Sequence, residues 1–252
     1  MVKNFLIILF LIASLAAADD KKSEVGIDEK LGQNVPFNIS LLDEYGKPVK
    51  LGEMTSGKPI VLTLVYYRCP GICSPLLTGL TKVIDLSDLV PGKDYQLITV
   101  SFDPTETYQT AAEKKKNYFG QFKHKKLENT DWRFLTADSA TIALLTDAVG
   151  FRYIRHENEF VHSAVVTLIS PEGKITRYLH GTDFLPMDFK LGIMEASEGK
   201  VGTPISKIVK LCYSYDPEGK TYVLNVTRIA GAGMIFLLGV FVVIFLVKKK
   251  KN

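Results

Sequence analysis

The order of apolar and polar positions divides the chain into short segments of alternating type. A nearly unbroken apolar, β-branched and aromatic run, Ile60 to Tyr67, predicts a strand buried on both faces, and Tyr95 to Phe102 predicts a second. Between them Leu76 to Leu89 has helical spacing and ends before Pro91-Gly92. Thr107 to Phe119 predicts a further helix, with Thr110 and Glu113 in capping-box spacing. Trp132 to Leu135 reads as a short strand, and Ser139 to Val149 as a helix stopped by Gly150. Two hairpins are predicted. One joins Phe37–Leu42 to Val49–Leu51 through Asp43-Glu44-Tyr45-Gly46-Lys47; the other joins Val165–Ile169 to Ile175–Leu179 through Pro171-Glu172-Gly173-Lys174. Asp188 to Ala196 predicts a last helix. Strands alternating with helices, then a closing hairpin and helix, make an α/β domain with a central mixed sheet.

The two ends read differently from the body. Lys3, the apolar stretch Phe5 to Leu15, and Ala16-Ala17-Ala18 before Asp19 follow the order of a signal peptide, predicted over residues 1–18. Asp20 to Lys30 reads as a polar, disordered leader. Residues 229–247 hold no charged side chain and approach the roughly 20 residues of a membrane-spanning helix. The lysines of residues 248–252 then mark a cytoplasmic tail. The expected order is signal peptide 1–18, folded domain 19–197, juxtamembrane extension 198–228, spanning helix 229–247 and tail 248–252. That topology predicts a single-pass protein of the inner membrane with its domain on the periplasmic side.

Topology also explains the charge. The chain carries 31 basic and 27 acidic residues, a net +4. Without Lys3 and the four tail lysines the balance falls to −1, so no nucleic-acid partner is expected.

With three cysteines the chain is not a disulfide-stapled scaffold. Cys69 and Cys73 stand in Tyr67-Arg68-Cys69-Pro70-Gly71-Ile72-Cys73-Ser74-Pro75, between the first buried strand and the first helix. If that helix starts near Pro70, both sulfurs lie at its partly positive end, where thiolates are favoured, and on one helical face. The pair then reads as two soft arms for Cu(I) or zinc, as a redox-active dithiol, or as a structural disulfide. The spacing leaves all three open, because thioredoxin-type motifs have two intervening residues and this one has three. Cys212, in an apolar setting, reads as an inert thiol. Of the four histidines, His124 and His156 lie in charged stretches and His180 ends a strand; His162 stands at the entry to the apolar strand Val165 to Ile169. A histidine there is either packed or a ligand.

Together the buried strand with Cys69-Pro70-Gly71-Ile72-Cys73, the segment Val100-Ser101-Phe102-Asp103-Pro104-Thr105, and His162 before a strand ending in Ser170-Pro171-Glu172-Gly173-Lys174 resemble the Sco/SenC family over about Gly32 to Ala196. The resemblance implies a thioredoxin-like fold and a copper ion, Cu(I) or Cu(II), held by Cys69, Cys73 and His162. It implies delivery of that copper to the copper-binding subunit of cytochrome c oxidase for its copper A centre, which is metal transfer rather than turnover. A second activity it implies is thiol–disulfide exchange through Cys69 and Cys73, reducing the oxidase's copper-ligand cysteines. Other periplasmic copper chaperones and thiol reductants are the further partners expected. Asp103 is read as an outer group near the metal. A C-terminal anchor departs from the many family members anchored at the N-terminus.

Overall fold

The computed structural model describes residues 25–157, 159–202, 213–216 and 221–224. The signal peptide, Cys212, the spanning segment and the lysine tail lie outside the described residues, among which no helix is long and apolar enough to cross a membrane.

The elements in chain order are β1 (Gly26–Ile27), β2 (Ser40–Leu42), β3 (Pro48–Lys50), β4 (Ile60–Val65), α1 (Cys73–Leu86), β5 (Gln96–Ser101), α2 (Tyr108–Phe119), β6 (Trp132–Leu135), α3 (Ser139–Ala148), β7 (Phe151–His156), β8 (Glu159–His162), β9 (Val165–Ile169), β10 (Ile175–His180), α4 (Pro186–Ser197), β11 (Tyr213–Asp216) and β12 (Thr221–Leu224). Five strands form the main sheet in the order β10-β9-β4-β5-β6. Strands β4, β5 and β6 run parallel, while β9 is antiparallel to β4 and β10 to β9. Every residue of β4, β5 and β9 is buried, as their apolar runs require. Two of their hydroxyls pair with each other: Thr63 Oγ1 lies 2.7 Å from Thr99 Oγ1, which also accepts the Trp132 indole N–H at 2.8 Å. Helix α1 packs on α4 and α2, α2 on β6, and α4 on β9 and β10.

Two buried charge clusters tie elements together. Arg177 of β10 donates to Asp188 and Glu195 of α4. The β2–β3 turn buries Asp43 and Glu44, which receive Arg133 of β6, and Glu44 also receives Lys115 of α2. Such buried charges persist only when paired.

The chain departs from the sequence reading in four places. Helix α1 starts at Cys73, not near Pro70, because a turn bonded from Cys69 N–H to Tyr66 O (3.2 Å) intervenes. Helix α2 begins after Thr107, which holds the N-cap position without a side-chain capping bond, so Thr110 lies inside the helix and does not cap it. Part of the supposed leader is β1, which joins β7 and β8 in a second sheet of order β1-β7-β8. The charged stretch around His156, for which no element was predicted, is the β7–β8 hairpin, whose outward residues are too polar to show an apolar pattern. Gly150 makes the turn into β7 at φ +66°; an added Cβ would stand 1.9 Å from Asp28 O, which fixes the N-terminal segment beside it.

Candidate metal centre

The site forms at the carboxyl ends of β4 and β5, where parallel-sheet proteins place their ligands. After β4 the chain turns through Tyr66 to Ile72, leaving Cys69 in the turn and Cys73 as the first residue of α1. His162 is the last residue of β8 and reaches the pair from the other sheet. Cys69, Cys73 and His162 place one ligand atom each within 4.8 Å of one another. The cysteines are unpaired thiols, and all three side chains are buried.

His162 Nδ1 lies 3.0 Å from the Ser163 carbonyl oxygen. A carbonyl only accepts, so the proton is on Nδ1 and the Nε2 lone pair faces the sulfurs. Nε2 is 3.2 Å from Cys73 Sγ. The imidazole sits in an aromatic box, edge-on to Phe102 and Tyr66 with ring centroids 5.0 and 5.9 Å away and tilted against Phe151 at 5.9 Å. These rings keep water off the far side of the histidine.

The two thiols differ in charge. The hydrogen bond from Cys73 pulls Cys69 far below the ordinary thiol range, against the opposing effect of burial. Cys73 moves the opposite way, first because it donates to Cys69 and then because it is buried. The pair therefore holds one proton, on Cys73. The helix-end argument expected both thiols to be lowered; sharing a proton reverses it for Cys73 although it stands at the helix start.

A buried carboxylate outside the metal group holds the turn in place. Glu106 Oε2 accepts the Tyr67 N–H at 2.7 Å and the Ser101 hydroxyl at 2.6 Å, and Oε1 accepts the Arg68 N–H at 2.7 Å. These bonds pin the two residues ahead of Cys69. Neither Glu106 nor Tyr66 stands out in the sequence. Glu106 falls one residue beyond the Val100–Thr105 motif, and a lone glutamate carries no pattern of burial. Asp103, read as an outer group, instead closes its own turn through the N–H and hydroxyl of Thr105. It is outside the cysteine–histidine group. His124 and His156 are exposed, and His180 bonds Glu29 at 2.7 Å, so none approaches the centre.

Two sulfurs and one imidazole nitrogen are a soft donor set, suited to Cu(I) and zinc rather than to magnesium or calcium. Bonds of about 2.3 Å to sulfur and about 2.0 Å to nitrogen, as for zinc, let one ion touch atoms roughly 4 Å apart, so small side-chain rotations complete the fit.

Fold and site define a thioredoxin-like domain with a dithiol–histidine centre. The chain belongs to the SCO1/SenC family, whose model matches residues 28–187. Among solved structures it is similar to one from Aquifex aeolicus VF5, at 33% identity and TM-score 0.61, covering 67% of this chain and 95% of that one. It is also similar to Arabidopsis thaliana ScoI with copper bound, at 25% identity and TM-score 0.51, covering 64% of this chain and 96% of that one. It shares its fold with BsSco, a member of the Sco family of cytochrome c oxidase assembly proteins, at 20% identity and TM-score 0.52, covering 68% and 97%. No curated protein sequence matches it.

Proposed function

We propose that this protein carries copper on the extracytoplasmic face of the inner membrane, anchored by residues 229–247, and passes it to the copper-binding subunit of cytochrome c oxidase. The observation that carries the proposal is the meeting of Cys69, Cys73 and His162 with the Nε2 lone pair turned toward both sulfurs. The copper held in the Arabidopsis relative and the oxidase-assembly role of the family of BsSco support it. Copper is the cargo. The Cys69 thiolate takes the ion first, Cys73 loses its proton as its sulfur joins, and the neutral imidazole supplies the third ligand. Three ligands leave room for an incoming thiolate of the acceptor, and the transfer proceeds by ligand exchange.

The single proton shared by two free thiols favours a second use of the site. The Cys69 thiolate attacks a partner disulfide, and Cys73 then resolves the mixed disulfide. The chain ends as the Cys69–Cys73 disulfide; two electrons and the Cys73 proton pass to the partner, whose second sulfur leaves as a thiolate and takes its proton from water. His162 is dispensable for that reaction and required for tight copper binding.

Anaerobic titration of the reduced, detergent-solubilised chain with Cu(I), against a competing chelator, tests the proposal. One tight equivalent that weakens sharply in His162→Ala supports copper delivery. Binding that is weak, or unchanged without the imidazole, overturns it.

A further inference from the structure

Three neutral donors, the Tyr67 and Arg68 N–H groups and the Ser101 hydroxyl, converge on the buried carboxylate of Glu106. The Ser101 oxygen in turn accepts the Asp103 N–H at 3.1 Å, which leaves its own proton for Glu106. A glutamine of the same size cannot meet this set, because its N–H2 would have to face a backbone N–H, donor against donor. Burying a carboxylate costs free energy that an apolar side chain does not. The acid is therefore specified by the need for two acceptor oxygens at this point, and packing does not explain it.

The groups on either side of the carboxylate are themselves fixed. Its loop joins β5 to α2, and there the Asp103 carbonyl accepts the Glu106 N–H at 3.1 Å. Tyr67 is also held at its far end, where its hydroxyl donates to Leu135 O of β6 at 2.7 Å. The three ligands differ in what holds them. Cys73 lies in the first turn of α1 and His162 in a paired strand, so regular backbone bonding fixes both. Cys69 lies in neither a helix nor a strand. Its turn is closed by its own N–H on Tyr66 O at 3.2 Å and is secured from outside by the two backbone bonds to Glu106.

We infer that Glu106 is a positioning residue of this centre, its carboxylate holding the Tyr67 and Arg68 amides so that the Cys69 sulfur stays gathered with Cys73 and His162. The inference rests on the copper reading only for its effect on affinity. Its effect on the dithiol does not need copper. A turn released from the carboxylate lowers the effective concentration of one sulfur at the other. Both the disulfide and the bound ion then become less favourable against the open dithiol.

The test is Glu106→Gln in the detergent-solubilised full chain, with Cys212→Ser in every protein compared to leave one thiol pair. Glu106→Asp, which keeps both acceptors but withdraws them by one methylene, is read beside it and stands in if the glutamine variant does not fold. Two quantities are measured well below the unfolding midpoints: the equilibrium of the Cys69–Cys73 disulfide with a glutathione buffer, and Cu(I) affinity against a competing chelator. The expected result is a disulfide equilibrium shifted toward the dithiol by about tenfold, the cost of fixing one residue's backbone again. Cu(I) binding should weaken by roughly 10–100-fold, the usual cost of losing an outer partner of a metal site. A disulfide equilibrium that is unchanged or moves the other way overturns the inference, however far the urea midpoint falls, because lost stability alone leaves the two sulfurs equally close in the folded protein. Undiminished Cu(I) affinity in a variant of a parent that binds copper overturns it as well. If the parent itself fails to bind Cu(I), the delivery reading falls, and the glutathione equilibrium alone decides the role of Glu106.

Discussion

Cys73 Sγ and His162 Nε2 stand 3.2 Å apart although 89 residues separate them in the chain. The contact joins the first turn of α1 to the end of a strand in a different sheet. Replacing His162 with alanine removes the only nitrogen of the group. Cu(I) affinity should fall by more than the roughly 10–100-fold typical of outer-partner changes, while the disulfide still forms. Competition titration and thiol counting measure the two effects; retained affinity would rule out the imidazole as a ligand.

The unequal thiols give a thiolate signal with a definite owner. In metal-free, reduced protein lacking Cys212, ultraviolet thiolate absorbance should persist well below the unperturbed thiol value of 9.0. It should vanish in Cys69→Ser and survive in Cys73→Ser, where the serine hydroxyl still donates. A signal that follows Cys73 would reverse the assignment.

The same asymmetry shapes stability against pH. Cys69, depressed in the fold, stabilises the native state fully above the unfolded thiol value; that contribution shrinks as pH falls toward its folded value. Cys73, raised in the fold, stabilises it below the unfolded value and loses that contribution above it. From these two groups, urea resistance of the reduced protein should rise from acid toward pH 9.0 and decline beyond it. In the Cys69→Ser, Cys73→Ser protein this part of the profile should flatten.

Glu106 accepts the two backbone N–H groups just ahead of Cys69 and the Ser101 hydroxyl at the end of β5. Glu106→Ala leaves those buried donors unpaired, and unfolding free energy should drop by about 3 kcal/mol. Glu106→Gln keeps acceptor oxygen and should lose less. Urea midpoints for the two variants decide; an alanine variant as stable as the parent would mean that water replaces the carboxylate.

Gly79, inside α1, faces the loop after β10, and an added Cβ would stand 1.8 Å from Thr182 O. Overpacking typically costs about 1–3 kcal/mol. Alanine regains up to about 1 kcal/mol of helix propensity. Because the obstacle is backbone, Gly79→Ala should destabilise by about 2 kcal/mol net, read as a lower midpoint in urea. An unshifted midpoint would show that the loop yields freely.

The buried strands β4, β5 and β9 were legible in the sequence because burial on both faces writes an unbroken apolar run. The cysteines were legible as a chemical pair, since close spacing after such a strand leaves few other roles. His162 was ambiguous on spacing alone, and only the resemblance placed it with the sulfurs. What stayed hidden depends on distant partners. The β7–β8 hairpin mixes Arg152, Arg155 and His156 with its inward aromatics, so its alternation is blurred, and β1 is two residues long. Glu106 matters through what its one carboxylate touches, and sequence periodicity reports the burial of faces, not the aim of a single polar group.

The second sheet sets an order in time. Its first strand, β1, comes from residues 26–27, yet it pairs with β7, some 125 residues later, and β7 in turn carries the strand that ends in His162. A chain emerging from its amino end therefore presents both thiols long before the imidazole that completes the set. Until the hairpin closes against β1, any captured ion has two sulfurs and no nitrogen and is easily lost to other thiols. The third ligand thus depends on strand pairing between the first described residues and a hairpin near residue 160, and the three-atom set exists only in a chain that has closed that pairing.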